Sequence, residues 1–356
     1  MACSVFFMTI GAPATPAQVS SAMDAADLDI VAALQVAPRV PANTLAGILS
    51  EPASTITRRL KRLQQERLVR VIGRFAWPLV TSGNPRQMWF RCRPGETLDV
   101  ADRLKDFPEI QFLMATSGSA DIYADVFPLL GSDVTEIISR RIPSIAGIVS
   151  TESQLILKSQ RVGQSWRLHR LTPEQNEALA AFAVPVTRSS FASIDELNEL
   201  EFQTLLELGR NARVSAAEVA RKLDVSSSSA YRAIQTLLTT GAISPRVEVE
   251  PAAAGYPLNA IISLQVDPHA IATVLNELSG HTSARMVSMV AGKASVIHNG
   301  VFAGPEELAL FITEDIGALE GVRALDTCVG LSVLRRYWMD RDGIRIGNQV
   351  DGLIRR

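Results

Sequence analysis

The chain has 356 residues, 47% hydrophobic and 20% charged, with a formal net charge of -2; that length suits two to four domains, each with its own core. Near-neutrality excludes a uniformly basic nucleic-acid coat but leaves room for a local cationic patch. No stretch reaches the roughly 18 uninterrupted apolar residues of a membrane helix, and Cys3, Cys92 and Cys328 form neither a disulfide framework nor a zinc spacing. We therefore expect a cytoplasmic protein with no metal, no cofactor and no membrane partner.

Residues 1–23 read as a disordered extension, since they lack the basic leader and long apolar core of a secretory signal. Three short helical patterns follow, DLDIVAALQ, NTLAGILS after Arg39-Val40-Pro41, and ASTITRRLKRLQQERL, which predict a helix-turn-helix unit over 24–75. On the third helix Ile56, Leu60 and Leu63 fall within about 60° of one another at 100° per residue and predict a buried stripe. Ser54, Thr55, Arg58, Lys61 and Arg62 face away from it, with Arg59 on the flank. Residues 50–74 carry seven cations (Arg58, Arg59, Lys61, Arg62, Arg67, Arg70 and Arg74) against two anions, Glu51 and Glu66. A charged helical face is commonly just solvated. As the last helix of a trihelical unit, however, it takes the place of the helix that enters the DNA major groove, where hydroxyls approach base edges and arginines reach guanine or phosphate. Ser54, Thr55, Thr57, Arg58, Arg59, Lys61 and Arg62 are therefore the candidate DNA contacts.

Residues 84–160 alternate in pattern: MWFRC as strand, TLDVADRLKDF as helix, IQFLMATSG and ADIYADVF as strands, SDVTEIISRRI as helix and GIVSTESQLILK as strand. This βαββαβ order predicts an α+β, ferredoxin-like sandwich. A linker over 161–193 carries a helix capped by Thr172 with Pro173 in its first turn. The chain then repeats itself at an offset of 174: Leu34 falls on Leu208, Arg39-Val40 on Arg213-Val214, Arg58 on Arg232, Gly118 on Gly292 and Gly147 on Gly321. The second copy is expected as a helix-turn-helix over 194–246, a ferredoxin-like domain over 257–339 and a tail over 340–356. Ser193 with Glu196 predicts a capping box opening its first helix, Ser215 with Glu218 one opening its second, and Ser226 a cap for the third, which Gly241 stops. Pro52 stands where the first copy would need Ser226. The candidate DNA contacts of the second copy are Ser228, Ser229, Tyr231 and Arg232, while Gln235 and Thr236 replace Lys61 and Arg62.

ASTITRRLKRL and SSSSAYRAIQTLL, together with GSADIYADVF and its partner GKASVIHNGVF, make the chain resemble two fused subunits of the Lrp/AsnC (leucine-responsive/asparagine regulator) family over roughly residues 24–160 and 195–338. The resemblance implies two winged helix-turn-helix units, each joined to an amino-acid-sensing domain, self-association through the sensing domains, double-stranded DNA as partner and a small effector, an amino acid or relative. Carried onto this chain, the effector loop is Gly118, Asp121 and Tyr123; a glycine admits a backbone N–H to a carboxylate and an aspartate answers an ammonium. The second copy departs here, with Lys293 after Gly292 and Ser295 in place of Asp121. The alternative is an enzyme similar to siroheme decarboxylases, which share the fold and depend on histidine; only His298 lies in a strand able to face a pocket.

Overall fold

In the computed structural model, residues 22–184 and 189–354 are described; most of the expected amino-terminal extension lies outside them. Its last residue, Met23, is 1% exposed and belongs to a core, so the packed chain starts before the expected boundary.

The first copy runs α1 (Ala25–Val36), α2 (Ala42–Leu49), α3 (Ala53–Gln65), β1 (Val69–Phe75), β2 (Arg86–Cys92), α4 (Thr97–Leu104), β3 (Ile110–Ser117), β4 (Ile122–Val126), the short α5 (Val134–Glu136) continued by a π-turn, and β5 (Ile148–Arg161). After a linking helix α6 (Pro173–Ala180) the order returns as α7 (Glu199–Arg210), α8 (Ala216–Leu223), α9 (Ser227–Thr239), β6 (Ile243–Val249), β7 (Leu258–Val266), α10 (Ile271–Gly280), β8 (Ala284–Ala291), β9 (Val296–Phe302), α11 (Pro305–Leu310) and β10 (Val322–Arg336). Both ends of the three helices of each unit, and of the wing strands β1 and β6, differ by the same 174 positions read from the sequence. The chain is a tandem duplication.

Local chemistry explains the starts of these helices. Asp24 accepts from the Asp27 N–H and Asp27 from the Asp24 N–H, a reciprocal box at the head of α1. Ser215 with Glu218 opens α8, and Ser226 accepts from the Ser229 N–H at the head of α9, whereas Pro52 gives α3 no side-chain cap. One expected cap needs correction. Ser193 with Glu196 closes only a single 3-10 turn, because Leu197 is extended (φ -79°, ψ 136°), and α7 is opened by a second box, Asn198 with Glu201.

The two copies are joined at two levels. At the first, β1 and β6 form an antiparallel ribbon centred on the pair Ile72 and Arg246, residues that are themselves 174 apart, so a pseudo-twofold axis passes through that pair. Arg39 donates to the Ala212 carbonyl, and its counterpart Arg213 donates to the carbonyls of Pro38 at 2.7 Å and Val40 at 3.0 Å. These reciprocal clasps tie one helix-turn-helix to the other. At the second level each copy contributes a four-stranded ferredoxin sheet, β3-β4-β2-β5 and β8-β9-β7-β10, and the sheets join edge to edge: β5 pairs with β8, and β10 with β3. The ring is closed and no copy keeps a free edge within it.

Side chains alternate across the strands as period-two geometry requires. Met88 and Phe90 of β2 point to the core under α4, while Trp89 joins Met114, Tyr123, Ile261, Ile297 and Cys328 inside the ring. Residues 340–356, expected as a tail, instead include strands β11 (Met339–Asp342) and β12 (Arg345–Gln349), an extension of β10 that covers the ribbon through Met339 and Ile346 against Ile72. Packing also crosses between copies: the core of the second helix-turn-helix includes Ala76, Leu79, Val80, Phe127 and Leu129 of the first copy.

Candidate nucleic-acid interface

Helix α3 buries Ile56 and Leu63 and half-buries Leu60, the stripe its periodicity predicts. Ser54, Thr57, Arg58 and Lys61 are exposed and Thr55 half-exposed. The Thr57 hydroxyl donates back to the Ala53 carbonyl at 2.8 Å, so its methyl rather than its hydroxyl is presented.

The cations divide into two groups. Arg59 donates to Asp24 at 2.8 Å and to Asp27 at 2.9 Å, and Arg62 pairs with Asp27 and, at 3.0 Å, with Glu66. Asp27 is 1% exposed, so these two arginines neutralise a buried carboxylate and pin α3 to the head of α1. Hydrogen bonds donated to Asp24 and Asp27 hold Arg59 even further above its ordinary range, and the Asp27 N–H with Arg59 holds Asp24 below its own. Arg67 pairs with Asp342 at 2.9 Å, Arg70 reaches the carbonyls of Gly347 and Arg210, and Arg74 the Ser244 hydroxyl. Of the seven cations over 50–74, Arg58 and Lys61 alone have no hydrogen bond or ion pair to a described residue. They stand one turn apart, beside Ser54 and Thr55.

Helix α9 differs. Arg232 is exposed and unpaired among the described residues, Tyr231 is 57% exposed, and the hydroxyls of Ser228 and Ser229 both bond to Ser226 at 2.9 Å. The places of Arg59, Arg62, Asp24 and Asp27 are taken by Ala233, Thr236, Asn198 and Glu201. The bridging arginines are therefore absent, and the acid in the place of Asp27, Glu201, is half-buried and serves the helix cap.

The expected effector residues do not come together. Gly118 (φ +126°) lies where β10 crosses: a Cβ there would sit 2.7 Å from the Thr327 carbonyl oxygen, so this glycine serves the contact between copies. Asp121 accepts from the Cys92 N–H at 2.8 Å and faces Arg91, and Tyr123 is sealed inside the ring with its hydroxyl donating to Asp125 at 2.7 Å. Adjoining residues line a cavity of about 280 Å³ instead. Its wall is pseudo-symmetric: Trp89, Ser119, Ala120 and Glu152 are matched at the 174 offset by Ser263, Lys293, Ala294 and Asp326. Glu152 holds Lys293, and Asp326 accepts from Ser119, the same bond made twice across the axis.

His298, the histidine expected to face a pocket, is fully buried between Ser283 and the Phe311 ring.

Comparison with known proteins bears on both copies. The AsnC-type helix-turn-helix domain matches residues 23–64, and a winged helix-turn-helix DNA-binding model matches residues 197–244. The first copy thus carries an AsnC-type helix-turn-helix domain, and the chain is similar to helix-turn-helix transcriptional regulators. A helix-turn-helix transcriptional regulator of Pyrococcus horikoshii is 25% identical over 139 residues, 39% of this chain and 88% of the relative. The regulator LrpA of Pyrococcus abyssi is 25% identical over 144 residues, 38% of this chain and 97% of its own. Each such single-copy relative spans about one repeat. Among solved structures the siroheme decarboxylase NirDL aligns over 87% of this chain and 92% of its own with a TM-score of 0.58 at 13% identity, which shows a shared two-copy fold. The chain thus carries two helix-turn-helix domains of the DNA-binding kind, and the transcriptional regulators it resembles carry such a domain. No described helix is long and apolar enough to cross a membrane.

Proposed function

We propose that the chain reads a specific, asymmetric DNA site, with the first copy as principal anchor and the second as a weaker reader, under control of a small amino-acid-like effector. The observation that carries this is the unpaired Arg58 and Lys61 beside Ser54 and Thr55 on α3, set against the single free Arg232 of α9. Free cations release counterions from the phosphate backbone, whereas arginines held by Asp27 contribute little to that exchange. The ribbon and the Arg39 and Arg213 clasps support a fixed spacing of the two readers, on major-groove faces about 10 base pairs or a multiple apart.

We assign the effector to the 280 Å³ cavity on the pseudo-axis. Lys293 would answer a carboxylate and Glu152 or Asp326 an ammonium, each exchanging its present partner across the axis. Such an exchange couples the two copies, with a free energy of about 1–3 kcal/mol for an ordinary allosteric ligand. Self-association through the sensing domains is part of the same reading.

Sequencing of genomic fragments captured by the purified chain, with and without pooled amino acids, tests it. An asymmetric motif whose enrichment changes with the amino acids is the expected result. A palindromic motif depending equally on Arg58 and Arg232 refutes the division of labour, and no enrichment refutes the DNA reading. The full-length likeness to NirDL favours one competitor, decarboxylation of a siroheme; anaerobic conversion of siroheme by the purified chain would decide for it.

A further inference from the structure

Where the wing ribbon meets the strand ring, a cavity of about 350 Å³ opens among Phe75, Trp77, Phe127, Ile156, Tyr337 and Trp338. A second chamber of about 120 Å³ adjoins it, and Gly163, Gln164 and Arg246 line both. The larger chamber is mostly aromatic and aliphatic; the smaller one contains Arg246 and Arg285.

The charges around the smaller chamber do not balance. Arg246, Arg285, Arg336 and Arg341 surround two buried acids. Glu248 is taken by Arg246 and, at 2.8 Å, by Arg341; Glu250 is taken by Arg336 at 3.2 Å and Arg341 at 3.0 Å. Arg285 is left over. It is 5% exposed, its Nε has no partner, and its guanidinium makes no hydrogen bond or ion pair to a described residue, only a stack 5.0 Å from the Trp166 ring. Arg74, on the wall of the larger chamber, also buries an unpartnered Nε. A buried guanidinium without an acceptor is expensive, and arginine does not escape the cost by losing its proton. Burial, with Arg336 and Arg246 beside it, pushes the Arg285 pKa down although Glu248 and Glu250 pull the other way from a distance. The pseudo-symmetric positions of Arg246 and Arg285 hold Ile72 and Gln111, so the imbalance belongs to one side of the molecule.

We infer that the joined chambers are a binding site for an organic anion, its flat apolar body against Trp77, Phe127 and Trp338 and its carboxylate at Arg285 and Arg246. This site is separate from the cavity on the pseudo-axis and does not depend on the chain's reading of DNA.

Calorimetric titration of the full chain, without DNA, with 2-naphthoate and its neutral isostere 2-naphthamide provides the test. Naphthoate should bind at least ten-fold more tightly. Arg285→Met should abolish that preference while leaving the free protein at least as stable, since it removes an unpaired buried charge. Leu157→Trp, at the exposed lip of the larger chamber, should block both compounds without disturbing the fold. Equal affinity for the two compounds, no binding of naphthoate, an unchanged preference in Arg285→Met, displacement of naphthoate by equimolar inorganic phosphate, or undiminished binding in Leu157→Trp would each overturn the inference.

Discussion

Arg59 and Arg62 on one side of α3, and Arg58 and Lys61 on the other, are chemically alike and do opposite work. Arg59→Ala leaves the buried Asp27 short of a partner and should cost about 1–3 kcal/mol of stability, measured by urea denaturation. Arg58→Ala and Lys61→Ala should leave stability within about 0.5 kcal/mol, yet each should lower the salt slope of DNA binding by about 0.9. If the two sets of variants behaved alike in both measurements, this division would be wrong. The sequence placed all four on the polar flank of one helix but could not separate them, because the separating residue, Asp27, is two helices away. The effector loop shows the same limit: Gly118 was visible as a glycine, but its reason, the Thr327 carbonyl of the other copy, lies more than two hundred residues on.

Two buried titratable groups give the residue scale a pH signature. Burial drives His298 down to about 3, so it stays neutral in the fold while the unfolded chain takes a proton below about pH 6.5; its contribution fades as pH falls through that window. Burial drives Asp125 up to about 7, against the hydrogen bond from Tyr123. The fold therefore keeps a proton that the unfolded chain releases above about pH 3.9, and this contribution is lost as pH rises toward 7. Between about pH 4 and 6.5 the two slopes oppose, each approaching 1.4 kcal/mol per pH unit. Asp125→Asn should make stability fall more steeply on acidification, and His298→Gln less steeply. Urea midpoints at pH 7, 6 and 5 that ran parallel in all three proteins would contradict both assignments.

Among the elements, wing and helix depend on glycines that are not repeated. A Cβ on Gly209 of α7 would press into the Phe75 ring at the end of β1. Gly209→Ala should thus destabilise by about 1–3 kcal/mol despite alanine's better helix propensity, and Phe75→Leu in the same chain should recover most of the loss in thermal unfolding. No recovery would mean that the close approach is not the cause. Local order was highly legible at this scale: apolar spacing, Ser215 with Glu218, Ser226 and the 174 offset located the helices and strands to within a few residues. The partners of those elements were not legible. Nothing in Val69–Phe75 says that it pairs with the wing of the other copy, and nothing in Met339–Gln349 distinguishes a covering hairpin from a tail, since both are pairings decided by distant backbone.

At the scale of the whole molecule the two copies cannot be separated cleanly. β5 closes on β8 and β10 on β3, and the helix-turn-helix of one copy packs on residues of the other. Calorimetric unfolding should therefore show one cooperative transition, with calorimetric and van't Hoff enthalpies agreeing; two resolved transitions would mean that the copies are autonomous. Residues 22–184 expressed alone would expose the edges of β3 and β5, and should be recovered as dimers or aggregates rather than monomers.

The ring has a further consequence for how the protein responds to its own abundance. Where two separate subunits must meet to complete such a sheet, folding stability rises with concentration and fails on dilution. Here the missing strands arrive on the same chain, so completing the ring is a first-order event. A cell holding only a few copies of this protein would still hold each one with its ring closed.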